Sequence, residues 1–581
     1  MTATTLPTTV GAFLDPAAPS LASLLEALEA MALPARRVAD LCSAVRSLCR
    51  VLGKPPFEVP ADPGVLGRAL RRALPAAVGI SPGRWANIKS LVLQALRLTG
   101  CRVLPGRALH PLTPAWTALE ALLPTKYHRA ALSRLMHYCA GQGIAPDAVD
   151  QAVFDRFGAA ILDDSFIRNQ RVAHQTAARL WNRAVEAIPG WPRQHVIQPR
   201  YARPYVLPLA TFPASFQAEV AAWLRRLAGA GALEDGPLRP LRPRSLEQRR
   251  FYLRQAASAL VHAGRDPASI AGLGDLVTVA AMQVILRFFL ARSGNKPTSQ
   301  IHGLATHLKA IARHGLGAAP AVLEQLGRMV RRVAPPQTGL ALKNRLALQQ
   351  FADPALLRRL VRLPAAIYAG LPPVGTPLPP REALRFQWAL AVQLLLVAPL
   401  RLGNLAGLEL DRHLLRSGGK GRQRPHYQLL IPGEAVKNGQ TIELPLPAGA
   451  SALLELYRSR VRPVLAAPGT SFLFPGEGGA KALVTLGGQI SRFLARELGV
   501  RLTPHQFRHL IGFIYLREHP HGIEVVRALL GHRSIATTLS HYAGLEGAAA
   551  ARHYDDALRL VAGRPGPAAG PGRPSRRRRA A

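Results

Sequence analysis

Cysteine, lysine, acidic side chains and long apolar runs are all scarce in this chain of 581 residues. Its four cysteines, Cys42, Cys49, Cys101 and Cys139, fall in the first quarter, so neither a disulfide framework nor a paired-cysteine metal site is expected. Cys42 and Cys49, seven apart, share one helix face and read as core thiols. The longest apolar run, residues 389–400, contains Gln393 and Pro399 and falls short of the ~20 residues needed to span a bilayer. The N-terminus has no basic segment followed by an apolar core, which argues against a signal peptide. These absences predict a soluble protein of a reducing, bacterial-type cytoplasm.

Acidic residues are the most consequential shortage, because 34 Asp and Glu stand against 74 Lys and Arg and leave a formal charge of +40. Only nine of the basic residues are Lys. A GC-rich coding bias favours Arg, Ala, Pro and Gly together, but it does not remove the excess over acids. With 48% hydrophobic residues the chain can bury sizeable cores, and at roughly 100–200 residues per domain it has room for three or four. A compact body this charged repels itself unless it meets a polyanion. Nucleic acid is therefore the first expected partner and an anionic membrane the second.

The pattern along the chain predicts a mainly α protein. Residues 1–20 read as a flexible N-terminus, 21–110 as a helical domain with apolar residues at helical spacing, and 111–200 as a second helical domain. Residues 201–239 are Pro-rich and read as a linker. A third helical domain is expected over 240–335, its first helix beginning at Ser245 with Gln248 in a capping box. From 345 to 560 helices flank one β-rich patch, residues 427–446, where QLLI and TIELPL read as antiparallel strands. The tail, 561–581, is Pro/Gly-rich, ends in four arginines and is expected to be disordered.

Two familiar motifs fail on inspection. SGGKG around Gly418 lacks the first glycine of a P-loop, whose place is held by Leu414, and Gly421 stands where Ser or Thr is required. His505 and His509 have zinc-motif spacing, but HQFRH lacks the glutamate that would serve as base. No cofactor and no metal are expected.

What remains is an ordered set: Arg401 in PLRLGNLAGLEL, Lys437 in AVKNGQTIELPLP, His505 and Arg508 in TPHQFRHL, His532 in LLGHRS, and Tyr542 ten residues later. This series resembles the catalytic set of tyrosine recombinases, the phage-integrase family, over residues 346–560. The resemblance implies a mixed α+β catalytic domain with a small antiparallel sheet, preceded by a helical core-binding domain at 240–335. It implies DNA cleavage and rejoining through a 3′-phosphotyrosyl intermediate, by an integrase or transposase-like enzyme of a bacterial mobile element. Double-stranded DNA recombination sites would be the partner, and a homotetramer on synapsed DNA the working assembly.

The chemistry is consistent with that set. Phosphodiester cleavage develops negative charge on the non-bridging oxygens, and planar guanidinium forks at Arg401 and Arg508 would clamp it without a metal. His532 would add a donor. Tyr542, with an ordinary pKa of about 10, needs a cationic surround to act as nucleophile. By family analogy Lys437 protonates the leaving 5′-oxygen and His505 assists proton transfer from the tyrosine. Asn404 stands where many family members carry an acid; it could orient Arg401 by a hydrogen bond. His541 occupies the shorter of the usual nucleophile spacings but cannot do a tyrosine's work, and Tyr542 alone, with Ile535 and Leu539, could equally be a buried helix face.

Other cations, Arg249, Arg250, Arg254, Lys309, Arg313, Lys420 and Arg422, are candidate contacts to phosphate, giving affinity without base reading. Two alternatives remain: an inactive DNA-binding architectural protein of the same fold, and a type IB topoisomerase-like enzyme. If most of the +40 grips a duplex, binding to a DNA fragment falls steeply between low and moderate salt, linearly in log–log form. A titration by fluorescence anisotropy checks this, and a flat response assigns the charge to coding bias.

Overall fold

In the computed structural model of this protein, described for residues 19–101, 103–104, 110–201, 205–229, 240–336, 340–418, 425–519, 522–531, 554, 555 and 558, the chain forms two compact units. One comprises residues 1–198 with 339–581, the other 199–338. Among the described residues no helix is long and apolar enough to cross a membrane.

The first unit begins with α1 (Leu21–Glu29), α2 (Ala35–Leu52), α3 (Pro63–Leu70) and α4 (Pro82–Leu98). Three of these four starts have a local cause: Ser20, Asp62 and Ser81 accept hydrogen bonds from the first-turn amides of α1, α3 and α4, and Pro63 and Pro82 occupy positions where no amide donor is needed. Leu41, Cys42, Val45, Leu48 and Cys49 are buried together with Ile88 and Val92. Burial raises the Cys49 thiol to about 11, so these are packing groups. A second core joins α5 (Pro114–Ala121), α6 (Lys126–Gly141), α7 (Gln151–Asp163) and α8 (Gln170–Ala187) around Trp116, Phe154, Phe157 and Trp181.

The second unit holds α9 (Ala214–Ala228), α10 (Pro243–His262), α11 (Gly274–Val277), α12 (Val279–Arg292), α13 (Ser299–Ala310) and α14 (Pro320–Arg332). Two expectations are corrected here. Residues 214–228 are not linker: Phe216, Val220, Trp223 and Leu224, at i, i+4, i+7 and i+8, are buried with Leu253, Ile285 and Leu308. The helix expected to start at Ser245 starts at Pro243, with Arg242 before it and no side-chain cap.

The first unit resumes with α15 (Leu342–Gln349), α16 (Pro354–Tyr368), α17 (Pro380–Val397) and α18 (Leu402–Ala406). The apolar run is explained by α17, whose Ala389, Leu390, Ala391, Val392, Leu394 and Leu395 are all fully buried. A helix surrounded by protein is apolar on nearly every face without meeting lipid. Next come β1 (Leu414–Ser417), β2 (His426–Ile431) and β3 (Ile442–Pro445), an antiparallel sheet in the order β1-β2-β3 with Leu414 opposite Leu429 and Ile431 opposite Ile442. Tyr427, Leu429 and Ile431 alternate inward. Then follow α19 (Ala448–Leu456), α20 (Arg462–Leu465), the short pair β4 (Pro475–Gly476) and β5 (Gly479–Ala480), α21 (Leu483–Glu497), α22 (Pro504–Glu518) and α23 (Ile523–Leu530). The protein is thus mainly helical with a small antiparallel sheet in its C-terminal region.

The N-terminal helices pack against this region within the same unit. Arg501 donates to the Arg71 carbonyl at 2.9 Å. Gly499, at φ +72°, sits so close that a Cβ there would lie 2.1 Å from the Ala77 amide nitrogen.

In the second unit His307 is 2% exposed and its Nε2 has no hydrogen-bond partner. Burial first, and the nearby Arg249 charge second, push its pKa down to about 3. The unfolded chain binds a proton here below about 6.5 while the folded chain does not until about 3. Stability is therefore full above pH 6.5 and declines as pH falls toward 3, by up to about 1.4 kcal/mol per unit. Hydrogen-exchange protection of α13 should follow that slope in the wild type and lose one proton's worth of it in His307→Leu.

Candidate active site

Arg508 is 6% exposed on α22, a helix fixed at its start by a reciprocal cap in which the Thr503 amide donates to Gln506 Oε1 at 2.8 Å. Its guanidinium reaches away from its own helix. Nη1 donates to the Pro399 carbonyl and Nη2 to the Leu530 carbonyl, the latter at 2.5 Å. The first lies two residues beyond the end of α17 and the second belongs to the last residue of α23, so one planar fork ties α22 to the ends of both.

Arg401 immediately precedes α18. It lines, together with Arg508, a pocket of about 400 Å³ whose other walls include Asn438 and Ile442 near the sheet and Leu530 and Gly531 at the end of α23. Its side chain has no hydrogen-bond or ion-pair partner among the described residues, and burial lowers its pKa from the ordinary guanidinium value. A partly desolvated, unmatched cation is costly to keep and is an anion-binding group in waiting.

Lys437 is exposed in the turn between β2 and β3. The adjacent Asn438 holds that turn in place, since its Nδ2 donates to the Gly531 carbonyl at 2.5 Å while its Oδ1 is buried without a partner. Asn438 was not among the residues singled out from sequence; the Asn-Gly pair signalled only a turn, with Gly439 at φ +72°. His505 is exposed one turn before Arg508, its ring 5.2 Å from that of buried His509. Asn404 does not hydrogen-bond Arg401, whose guanidinium has no partner among the described residues, and its own Nδ2 is buried with none.

Arg401 and Arg508 therefore share one pocket, with the Lys437 turn anchored at its rim. His532 and Tyr542, with His541, Lys420 and Arg422, lie outside the described residues, as does the 561–581 tail. Of the other cations, Arg250 and Arg313 are exposed, Arg249 and Lys309 half-buried. Arg254 is committed elsewhere, with Nε and Nη2 both donating to the Leu207 carbonyl at 3.1 and 2.9 Å. Among the described residues no group of three or more His, Cys, Asp or Glu could hold a metal ion.

A pocket built on two arginines at the junction of a helix triplet and a β turn is the kind of site that handles a phosphodiester. Residues 380–547 match the model of the phage integrase family. Through this region the chain is similar to the tyrosine recombinases.

Among individual proteins, the tyrosine recombinase XerC of Pseudomonas entomophila (strain L48) is 34% identical over 141 residues, 24% of this chain. The match spans 42% of that relative's length, less than half. Two crystal structures of the XerH site-specific recombinase bound to difH substrate, a post-cleavage and a pre-cleavage complex, are 14% and 15% identical. They cover 61% and 58% of this chain and 98% and 97% of their own, at TM-scores of 0.29 and 0.27.

The geometry makes Arg508 a structural clip as well as a candidate clamp. Arg508→Lys, which cannot span both carbonyls, should lower the urea midpoint by an amount equivalent to about 1.5–3 kcal/mol, the usual loss for charged hydrogen bonds. Arg401→Lys should leave the midpoint within about 0.5 kcal/mol, because no protein partner is lost.

Proposed function

We propose that this protein is a site-specific DNA recombinase of a bacterial mobile element, acting on double-stranded DNA through a 3′-phosphotyrosyl intermediate. The observation that carries the reading is the unmatched Arg401 guanidinium beside Arg508 in one pocket, within the region that matches the phage integrase model. The two arginines hold the non-bridging oxygens of the scissile phosphate, and His532 adds a donor. Tyr542 attacks phosphorus, passing its proton toward His505, while Lys437 protonates the departing 5′-oxygen. The new ester retains the energy of the broken one, so a 5′-hydroxyl can attack it and release the tyrosine without ATP. Exchange between two duplexes needs four such cuts, hence four subunits.

The β2–β3 turn suits the acid. Asn438 pins the turn to Gly531, so Lys437 stays near the pocket while remaining exposed to solvent. The exposed candidates Arg250 and Arg313, with Arg249 and Lys309, would add sequence-independent contacts to phosphate.

A nicked suicide substrate, from which the released strand diffuses away, tests this directly. Wild-type protein should form a covalent adduct that survives EDTA, and Tyr542→Phe none. Arg401→Ala should reduce adduct formation by about 10²–10³-fold, the range for removing one preorganised donor. An adduct from Tyr542→Phe, or loss of all cleavage on chelation, would sink the mechanism; binding without any adduct on a cognate site would leave an architectural protein.

A further inference from the structure

A larger concavity, about 1160 Å³, lies inside the first unit between the N-terminal helices and the C-terminal region, away from the Arg401 pocket. Seven cations line it: Arg71, Lys89 and Arg168 from the N-terminal side, and Lys343, Arg492, Arg496 and Arg501 from the other. No Asp or Glu lines it. Arg496 pairs with Glu497 at 2.9 Å, but Lys89, Arg168, Lys343 and Arg492 have no ion-pair partner among the described residues. Thr503 and Gln506, in the first turn of the 15-residue α22, form part of the wall and bring the positive end of that helix to it.

The lining is also aromatic. Trp85 and Trp388 come from opposite sides, and Trp388 is oriented by its indole N–H donating to Gln489 Oε1 at 3.1 Å, with the Arg496 guanidinium 5.7 Å from its ring centre. Like charges gathered in a concavity repel one another, and packing the N-terminal helices against the C-terminal region brings them together. A bound polyanion would offset that cost.

We propose that this cleft binds a nucleoside polyphosphate. Its volume exceeds what free phosphate needs and is ample for a base, a sugar and two or three phosphates. Indole faces recognise the base by stacking, and unpaired Lys and Arg recognise the phosphates. Cations gathered in a pocket suit a compact polyanion better than a duplex, whose phosphates run along an extended line at one charge per ~1.7 Å. The inference is independent of the recombinase reading and is tested by binding alone.

Full-length protein is titrated with ATP by calorimetry at moderate salt. The double variant Lys343→Glu/Arg492→Glu should weaken binding by about tenfold or more, whereas Arg183→Glu/Arg359→Glu, an equal charge change at exposed sites outside the pocket, should not. Trp388→Leu should bring ATP down to the affinity of inorganic tripolyphosphate, which binds the wild type more weakly. Should the charge reversals unfold the protein, Lys343→Gln/Arg492→Gln provides the same comparison. The proposal is overturned by absent ATP binding, or by equal losses in the two double variants. It is equally overturned by tripolyphosphate matching ATP, or by a short oligothymidylate binding more tightly than ATP and losing affinity with the same variants.

Discussion

The grip of one buried guanidinium on two carbonyls organises the C-terminal region. Arg508 takes the Leu530 oxygen, left without an intrahelical donor because α23 has just ended, and the Pro399 oxygen two residues past the end of α17. Satisfying them fixes where α17 stops and α23 stops relative to α22. Arg401 follows Pro399 by two residues and Gly531 follows Leu530 by one, so this single contact sets the two ends of the smaller pocket. Gly531 leaves α23 in the left-handed region at φ +60°, and its carbonyl then receives Asn438 from the sheet turn. Helix termination, arginine geometry and a turn asparagine meet within a few residues.

Electrostatics explains why such a site is kept polar when the rest of the region is apolar. Around it Leu390, Leu394, Leu400, Leu405, Phe507 and Leu510 are buried in one cluster, a setting in which an unmatched cation has little water to lean on. Arg401 is held there without a carboxylate partner, a local conflict with packing that has no structural return in the protein alone. Contrast Arg416, whose guanidinium takes both oxygens of Glu455 at 3.1 Å on the outer sheet: that cation is matched at the surface, whereas Arg401 is unmatched and lines the pocket.

Local pattern made much of this legible and long-range packing hid the rest. The strands at 427–446 and the helical character throughout follow from period-two and period-3.6 spacing, and Cys42 and Cys49 are core because they fall on one buried face. The order of Arg401, Lys437 and Arg508 could be read directly, though not that Arg508 would spend two donors on carbonyls. Helix α9 was missed because prolines on both sides, Pro208 and Pro213 before it and Pro237 and Pro240 after it, masked the apolar stripe of Phe216, Val220 and Trp223. Pro213 sits just before the first turn, where proline is tolerated. Nothing local announces that residues 71–77 meet Gly499 and Arg501, more than four hundred positions away; that contact is a property of surfaces, and with it the seven-cation cleft was invisible.

Helix α22 links the two cavities, and the manner of that link is constrained by how firmly it is held. Its first turn, with Thr503 and Gln506, faces the larger cleft; its second turn carries Arg508 into the smaller one. Gln506 is tied to Asn344 at 3.2 Å and Arg508 to its two carbonyls, so both ends of this stretch are anchored to different neighbours. A ligand shifts an equilibrium only between states it distinguishes, and a helix pinned on two sides offers no obvious second position. Coupling through α22 would therefore act by charge rather than by displacement. An anion at its N-terminus would partly neutralise the positive helix end, while the packing of the N-terminal helices against residues 499–501 would gain from the relief of repulsion among cations contributed by both sides. On these two proposals the same surplus of positive charge would have two separable uses in one unit, one at a single phosphate between Arg401 and Arg508, the other in a cleft where a bound polyanion relieves the repulsion between the N-terminal helices and the C-terminal region.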